Sequence, residues 1–404
     1  MYFTLSWRNI WRNKKRTLIV VASVFFAVLL ATVMRSTQRG TYGYMIHSAA
    51  RLFTGYVQVQ GNGYWDDRSL DKSIVLEQNW QQDISSIPHV TTMTPRLEAF
   101  ALASSDTATK VAQVIGIEPV LEDQMTGLQK RLVQGQYLTL NSDGALIGAG
   151  LAQRLKIRLG ENLVLYGQGY HGETAAAQIP VIGLVQLPFQ EMDLSFVFLS
   201  LPAAQNIFSA ADRITSLPIM IENIRYLDPV LTQLRATLGN NYTIMTWDQM
   251  MPDMNQHIQL DNASGIVMLA ILYIVIGFGV LGTVMMMVAE RTKEFGILIA
   301  VGMKKWRLIW VTTLETMFIA CIGAITGVIG SLPLILYLYQ HPIRIAGDAA
   351  KAMDKLGFEA LVTFSTDPIV FLSQTLVVLI IALATALYPV LFILRLEPVK
   401  ALHA

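Results

Sequence analysis

The chain has 404 residues, of which 53% are hydrophobic and only 15% charged, and its formal net charge is +1. A typical soluble domain carries about 25% charged residues, so the composition is that of a membrane protein, and the balanced charge gives no support to nucleic-acid binding. One cysteine, Cys321, excludes an intrachain disulfide, and six scattered histidines lack the partner spacing of a metal site.

Taken in chain order, residues 1–16 interleave Phe3, Leu5, Trp7, Ile10 and Trp11 with Arg8, Arg12, Lys14, Lys15 and Arg16 and contain no acid. That pattern predicts an amphipathic helix lying along the inner leaflet. Residues 17–34 form the first of four stretches long and apolar enough to cross a ~30 Å hydrocarbon core. The others are 265–289, 308–338 and 368–394. A cleaved leader is not expected, because Met34, Arg35 and Ser36 make no small-residue cleavage site.

Residues 35–264 hold 15 Lys or Arg against 21 Asp or Glu and form the extracytoplasmic domain. Strands are expected at 55–60, 110–117, 145–147, 162–166, 177–185, 195–199 and 242–246, and helices at 150–155, 201–208 and 228–238. The fold class is therefore an integral membrane α-helical protein with four transmembrane helices and a large α+β periplasmic domain between helices 1 and 2. The strand-rich stretch 145–200 suggests a subdivision, and residues 253–264 suggest a helix continuing into the second span.

Residues 290–307 are short and basic, with Arg291, Lys293, Lys304, Lys305 and Arg307. Together with the basic N-terminus they place both termini on the cytoplasmic side, since lysine and arginine are retained there. The loop 339–367 is external and predicts a small amphipathic helix. Residues 395–404 form a cytoplasmic tail with Arg395 and Lys400.

Two glycine patterns invite nucleotide readings, and both fail. Gly296 and Gly302 have five residues between them, and Met303 stands where a phosphate-binding loop needs lysine. Gly277, Gly279 and Gly282 spell GxGxxG, but inside a span, where no βαβ unit can form. These three glycines, with Gly323 and Gly327, read instead as helix-packing faces. Met268, Met285, Met286 and Met287 make a flexible thioether surface for a substrate cavity, or plain lipid contact. Glu315, the single acid in a span, is expected to accept hydrogen bonds that orient the neighbouring cytoplasmic segment. No catalytic constellation or metal site emerges, so the chain is not expected to be an enzyme, and its energy must come from a partner.

The run ERTKEFGILIAVGMKKWRL at 290–308 resembles the signature of the FtsX-like permeases, the ABC transporter family that includes the MacB and LolC/LolE transmembrane subunits. WRNIWRNKKRT, LIGAGLAQRLKIRLGENLVL at 146–165, VIGLVQLPFQEMDLSFVFLSLPAAQNIF at 181–208 and YPVLFILRLEPVKAL at 388–402 resemble other parts of the same family. The resemblance implies a segment that docks on a cytoplasmic ABC ATPase subunit, carried over onto Glu290, Arg291, Glu294, Phe295, Gly296, Ile297, Ala300, Gly302, Met303 and Lys304. It implies no cofactor on this chain, ATP and Mg on the ATPase, and a second permease copy or paralogue. A fused ATPase domain is not expected.

Length, GYVQVQ and IGIEPV at 115–120 lean toward the LolC/LolE type, which implies extraction of lipoproteins or other amphiphiles from the inner membrane. In that type a loop like Pro188, Phe189, Gln190, Glu191 and Asp193 recruits a periplasmic chaperone or adaptor. Two alternatives stay open at this point: a MacB-like tripartite efflux motor for small amphiphiles or peptides, and an FtsX-like non-transporting regulator of a periplasmic partner.

Overall fold

The computed structural model describes residues 2–12, 14–77, 79–348, 350 and 360–397. The chain divides into two compact units: residues 1–42, 257–344 and 361–404 make one, and residues 43–256 and 345–360 the other.

The first unit is helical. Helix Tyr2–Arg12 is followed by helices Lys14–Ala49, Pro252–Glu290, Thr292–Ala300, Lys305–Gln340, Pro368–Thr385 and Leu387–Arg395. Four of these stretches are long and apolar enough to cross a membrane, as the hydropathy predicts. Two run on past the hydrophobic stretches: the first continues to Ala49 and the second begins at Pro252. Hydropathy marks the lipid boundary, whereas a helix ends only where its backbone hydrogen bonds do.

A small-residue core joins the four spans, built from Val24, Ala27, Val28, Val280, Val284, Ala320, Ala324, Val378 and Ala382. Gly323 and Gly327 set the approach of the third span to the first, since a Cβ there would stand 2.7 Å from Val24 Cβ and 2.8 Å from Val28 Cβ. A polar cluster holds the outer ends: the Arg35 guanidinium donates to Asn262 at 2.8 Å, the Gln38 amide donates to the Tyr42 hydroxyl, and Tyr42 donates to Asp261. In mid-bundle the Tyr273 hydroxyl donates to Gln374.

The second unit is an α+β domain around one mixed sheet, of eleven strands among the described residues. Its centre is the antiparallel pair Arg96–Ser104 and Thr109–Ile117, with Phe196–Ser200 added in parallel. Strands Ala145–Gly148, Asn162–Gln168 and Thr174–Val185 hydrogen-bond into the same sheet, so the stretch 145–200 is not a separate body. Helix Leu201–Ile207 packs beneath it, so close at Gly116 that a Cβ there would meet Ala204 Cβ at 2.4 Å. All seven expected strands and all three expected helices are present.

Strand Arg96–Ser104 was hidden from the alternation rule because it buries Arg96 and Glu98. Arg96 is paired with Glu122 at 2.7 Å, and the Glu98 carboxylate accepts from the Ser216 hydroxyl at 2.8 Å. Arg96 also donates to the Phe53 carbonyl, and Arg51 donates to the Met125 carbonyl at 2.8 Å. These two arginines clamp a π-turn, Ala50–Thr54, that closes the preceding helix. The expected amphipathic helix in the loop 339–367 falls mostly on residues 351–359, and Lys400 falls in 398–404; both lie outside the described residues.

Candidate coupling site

The segment 290–304 folds as a helix closed by a glycine turn. Helix Thr292–Ala300 ends where the Gly302 amide donates to the Ile299 carbonyl and the Met303 amide to the Leu298 carbonyl, 3.0 Å each. This is the Schellman arrangement, and it requires a left-handed residue at the first position past the cap. Gly302 supplies it with φ of 102°. The glycine of the AVGMKK run thus has a backbone reason, independent of any phosphate. Lys304 is then extended and starts the helix of the third span.

One face of this element is turned inward. Phe295 and Gly296 are buried, and Phe295 packs with Val288, Leu308, Ile309, Ile393 and Leu396. Arg291 is only 7% exposed and pairs with Glu315, itself 3% exposed, on the third span. The Asn9 amide donates to the other Glu315 oxygen at 2.7 Å, and the Ser6 hydroxyl donates to the Val311 carbonyl at 3.1 Å. Arg12 closes the network, 2.6 Å from Glu294, which Arg291 also reaches at 3.3 Å. Partial burial opposes the charge on Glu294, and the hydrogen bonds from Arg12 and Arg291 outweigh it, holding the carboxyl below its ordinary range.

The opposite face is apolar and exposed. Ile297 and Val301 lead it, Val301 at 83% exposed, with Leu298 at its edge and Trp306 of the next helix exposed beside it. Ala300, Gly302 and Lys304 are exposed beside them, Met303 is half-buried, and Glu290 stands on the surface at the end of the preceding helix. The structure therefore sorts the ten coupling residues into an inward set, Arg291, Phe295 and Gly296, and an outward set headed by Ile297 and Ala300. Leu298, Val301 and Trp306 are exposed as well although the family motif does not single them out; Val301, four residues beyond Ile297, had a signal in its helical spacing, whereas Leu298 and Trp306 had none.

Gly277 faces Ile381, whereas a Cβ at Gly279 or Gly282 would meet nothing within 4 Å. Met268, Met285 and Met286 are exposed on the second span and Met287 is buried. In the loop, Gln190 and Glu191 are exposed and Pro188 and Phe189 half-buried. Asp193 is buried, accepting from the Leu187 and Gly150 amides at 2.9 Å each, so it builds the loop. Among the described residues no group of His, Cys, Asp and Glu could hold a metal.

The profile of the MacB-like periplasmic core domain matches residues 17–237, and that of the FtsX-like permease C-terminal region matches residues 266–398. The lipoprotein-releasing system transmembrane protein LolE of Haemophilus influenzae is 25% identical over 350 residues, covering 81% of this chain and 80% of that protein. The corresponding LolC of Xylella fastidiosa is 22% identical over 414 residues, covering 97% and 95%. Among solved structures, the periplasmic region of MacB from Actinobacillus actinomycetemcomitans is similar over 49% of this chain and 91% of that one, with 18% identity and a TM-score of 0.36. The chain belongs to the FtsX-like permease family with a MacB-like periplasmic core domain, the transmembrane subunits of ABC transporters.

Proposed function

We propose that this permease takes lipoproteins, or similar lipid-anchored amphiphiles, out of the bacterial inner membrane with ATP hydrolysed by a separate cytoplasmic ATPase subunit. The observation that carries the coupling is the two-faced segment 290–304. Its inner face is tied to the third span by Arg291 and Glu315, and its outer face offers Ile297, Leu298 and Val301 to a partner. A segment gripped on one side and apolar on the other can transmit a push.

Two copies, or one copy and a paralogue, form the transporter in this reading. Each segment docks on one ATPase, which carries ATP and Mg while this chain binds no cofactor. Closure of the ATPases drives the segments, and the motion passes along helix Pro252–Glu290 toward the periplasmic domain. Both termini are cytoplasmic, following the basic residues at 8–16 and 291–307. The loop at Pro188–Asp193 presents Gln190 and Glu191 to a periplasmic acceptor. The relatives named for lipoprotein release support the substrate, and removing an acyl chain costs about 0.8 kcal/mol per CH₂, a task that calls for ATP.

The test is ATP-dependent release of a triacylated lipoprotein from proteoliposomes containing the chain with its ATPase. Release into the soluble fraction with ATP, and not with a non-hydrolysable analogue, supports the proposal. ATP turnover stimulated by small amphiphiles without lipoprotein release would favour the efflux motor. ATP-dependent activation of a periplasmic enzyme with no substrate movement would favour the regulator.

A further inference from the structure

Helix Tyr2–Arg12 has three faces, and only one of them is buried in the bundle. At 100° per residue, Ser6, Asn9 and Ile10 share a face. Those are the residues that meet Val311, Glu315 and the cluster of Val20 and Ile319. The second face carries Phe3, Trp7 and Trp11, all exposed. Phe3 and Trp7 reach Phe318, with ring centroids 5.8 and 6.0 Å away, and Trp7 stands edge-on to Trp11. A second edge-on tryptophan pair, Trp306 and Trp310, starts the third span. Exposed tryptophans on an amphipathic helix, and at the start of a membrane span, are the mark of the headgroup level of a bilayer.

The third face carries Arg8 and Arg12, and Lys14 and Lys15 follow, all exposed. Arg12 is bound to Glu294. Among the described residues, Arg8, Lys14 and Lys15 have no carboxylate partner. Three uncompensated cations beside an aromatic stripe suit phosphate groups of a membrane, whereas a zwitterionic leaflet offers them little net attraction.

We propose that Arg8, Lys14 and Lys15, with Trp7 and Trp11, form a docking site for anionic phospholipid headgroups, and that its occupation sets ATP turnover by the coupled complex. The route is short. Asn9 holds Glu315 and Arg12 holds Glu294, so anchoring this helix on the leaflet steadies the residues that grip the coupling segment. Where anionic lipid is absent, the helix is held by protein contacts alone and the grip loosens. The second half of the proposal rests on the ATPase-coupled reading above; the lipid contact does not.

Two readouts keep those halves apart. The first is tryptophan quenching by brominated phosphatidylglycerol against brominated phosphatidylcholine, using the full chain in mixed vesicles without ATPase. Each basic residue near an anionic surface adds about a factor of five in affinity, so R8Q/K14Q/K15Q should reduce the preference for phosphatidylglycerol by about a hundredfold. The preference in the unaltered protein should weaken as salt rises. The second readout is ATP turnover of the reconstituted complex. Phosphatidylglycerol should raise it several-fold in the unaltered protein and leave the triple variant unchanged, with the two equal in pure phosphatidylcholine. Equal quenching by both lipids, stimulation that survives the triple substitution, or turnover lost in both lipids would each overturn the proposal. Quenching as expected in a chain that binds no ATPase would sink the coupled reading and leave the lipid site standing.

Discussion

Arg291 and Glu315, 24 residues apart, form an ion pair buried on both sides, with Asn9 from a third helix on the free carboxylate oxygen. The pair ties the start of the coupling helix to the third span, and a buried charge left without its partner is costly. Arg291→Ala or Glu315→Ala should therefore each destabilise the detergent-solubilised protein by about 3 kcal/mol. The double variant should cost less than the two singles added together, because it strands no charge. Thermal melting of the four proteins in the cycle measures the coupling; additive losses would remove the ion pair from the account.

Glu294 is the exposed branch of the same network, and acid should undo it. Its carboxyl lies below the ordinary value of 4.5 because the hydrogen bonds from Arg12 and Arg291 outweigh partial burial. A lowered folded-state value stabilises above the unfolded value and is lost as pH falls through the folded one. The melting difference between the unaltered protein and Glu294→Gln should accordingly be constant above the ordinary value of 4.5 and shrink away as pH falls through the lowered folded-state value. A difference that instead grew in acid would reverse the assignment.

The glycines of the bundle are not equivalent, and substitution should separate them. Leucine at Gly323 or Gly327 drives side-chain atoms into Val24 or Val28, an overpacking that costs about 1–3 kcal/mol. Leucine at Gly282 meets open space and should leave the fold of the single chain intact. If Gly282→Leu nevertheless weakens association of two permease chains, measured by cross-linking in vesicles, that face belongs to the subunit contact. Gly302 is different again. A Cβ there has room, yet the positive φ should make Gly302→Ala cost about 1–2 kcal/mol in melting experiments.

In the periplasmic domain, Arg96 and Glu122 are 3% and 2% exposed, and Arg96 also caps the π-turn at Phe53. Burial opposes the arginine charge, and Glu122 beside it outweighs that and raises its pKa. Glu122→Gln should lower the protection of amides in strand Arg96–Ser104 and in residues 50–54 together, read by hydrogen exchange. Loss of protection in one without the other would separate the ion pair from the turn.

Much of this was legible from residues alone, and the exceptions share a cause. The four spans announce themselves because the bilayer demands about 20 apolar residues from a helix. Strands such as Thr109–Ile117 and Thr174–Val185 show through alternation or β-branched runs. Strand Arg96–Ser104 does not, since its buried charges are satisfied by Glu122 and Ser216, partners 26 and 118 residues away along the chain. Within the coupling segment, the family motif named Arg291 and Ile297 together. Only the fold separates them, because Arg291 is spent on Glu315 while Ile297 is left exposed. Local pattern finds a helix; it cannot say which of its faces the rest of the chain will cover.

The central claim is that the outward face at Ile297, Leu298 and Val301 receives the ATPase. The direct measurement is ATPase binding and ATP turnover for Ile297→Glu/Val301→Glu in the reconstituted complex, with melting of the permease alone as control. Both side chains are exposed, so the fold should be unchanged. Binding should fall by about a hundredfold or more as two carboxylates are driven into an apolar contact. A variant that melts like the original, binds the ATPase normally and turns over ATP at the original rate would contradict the account.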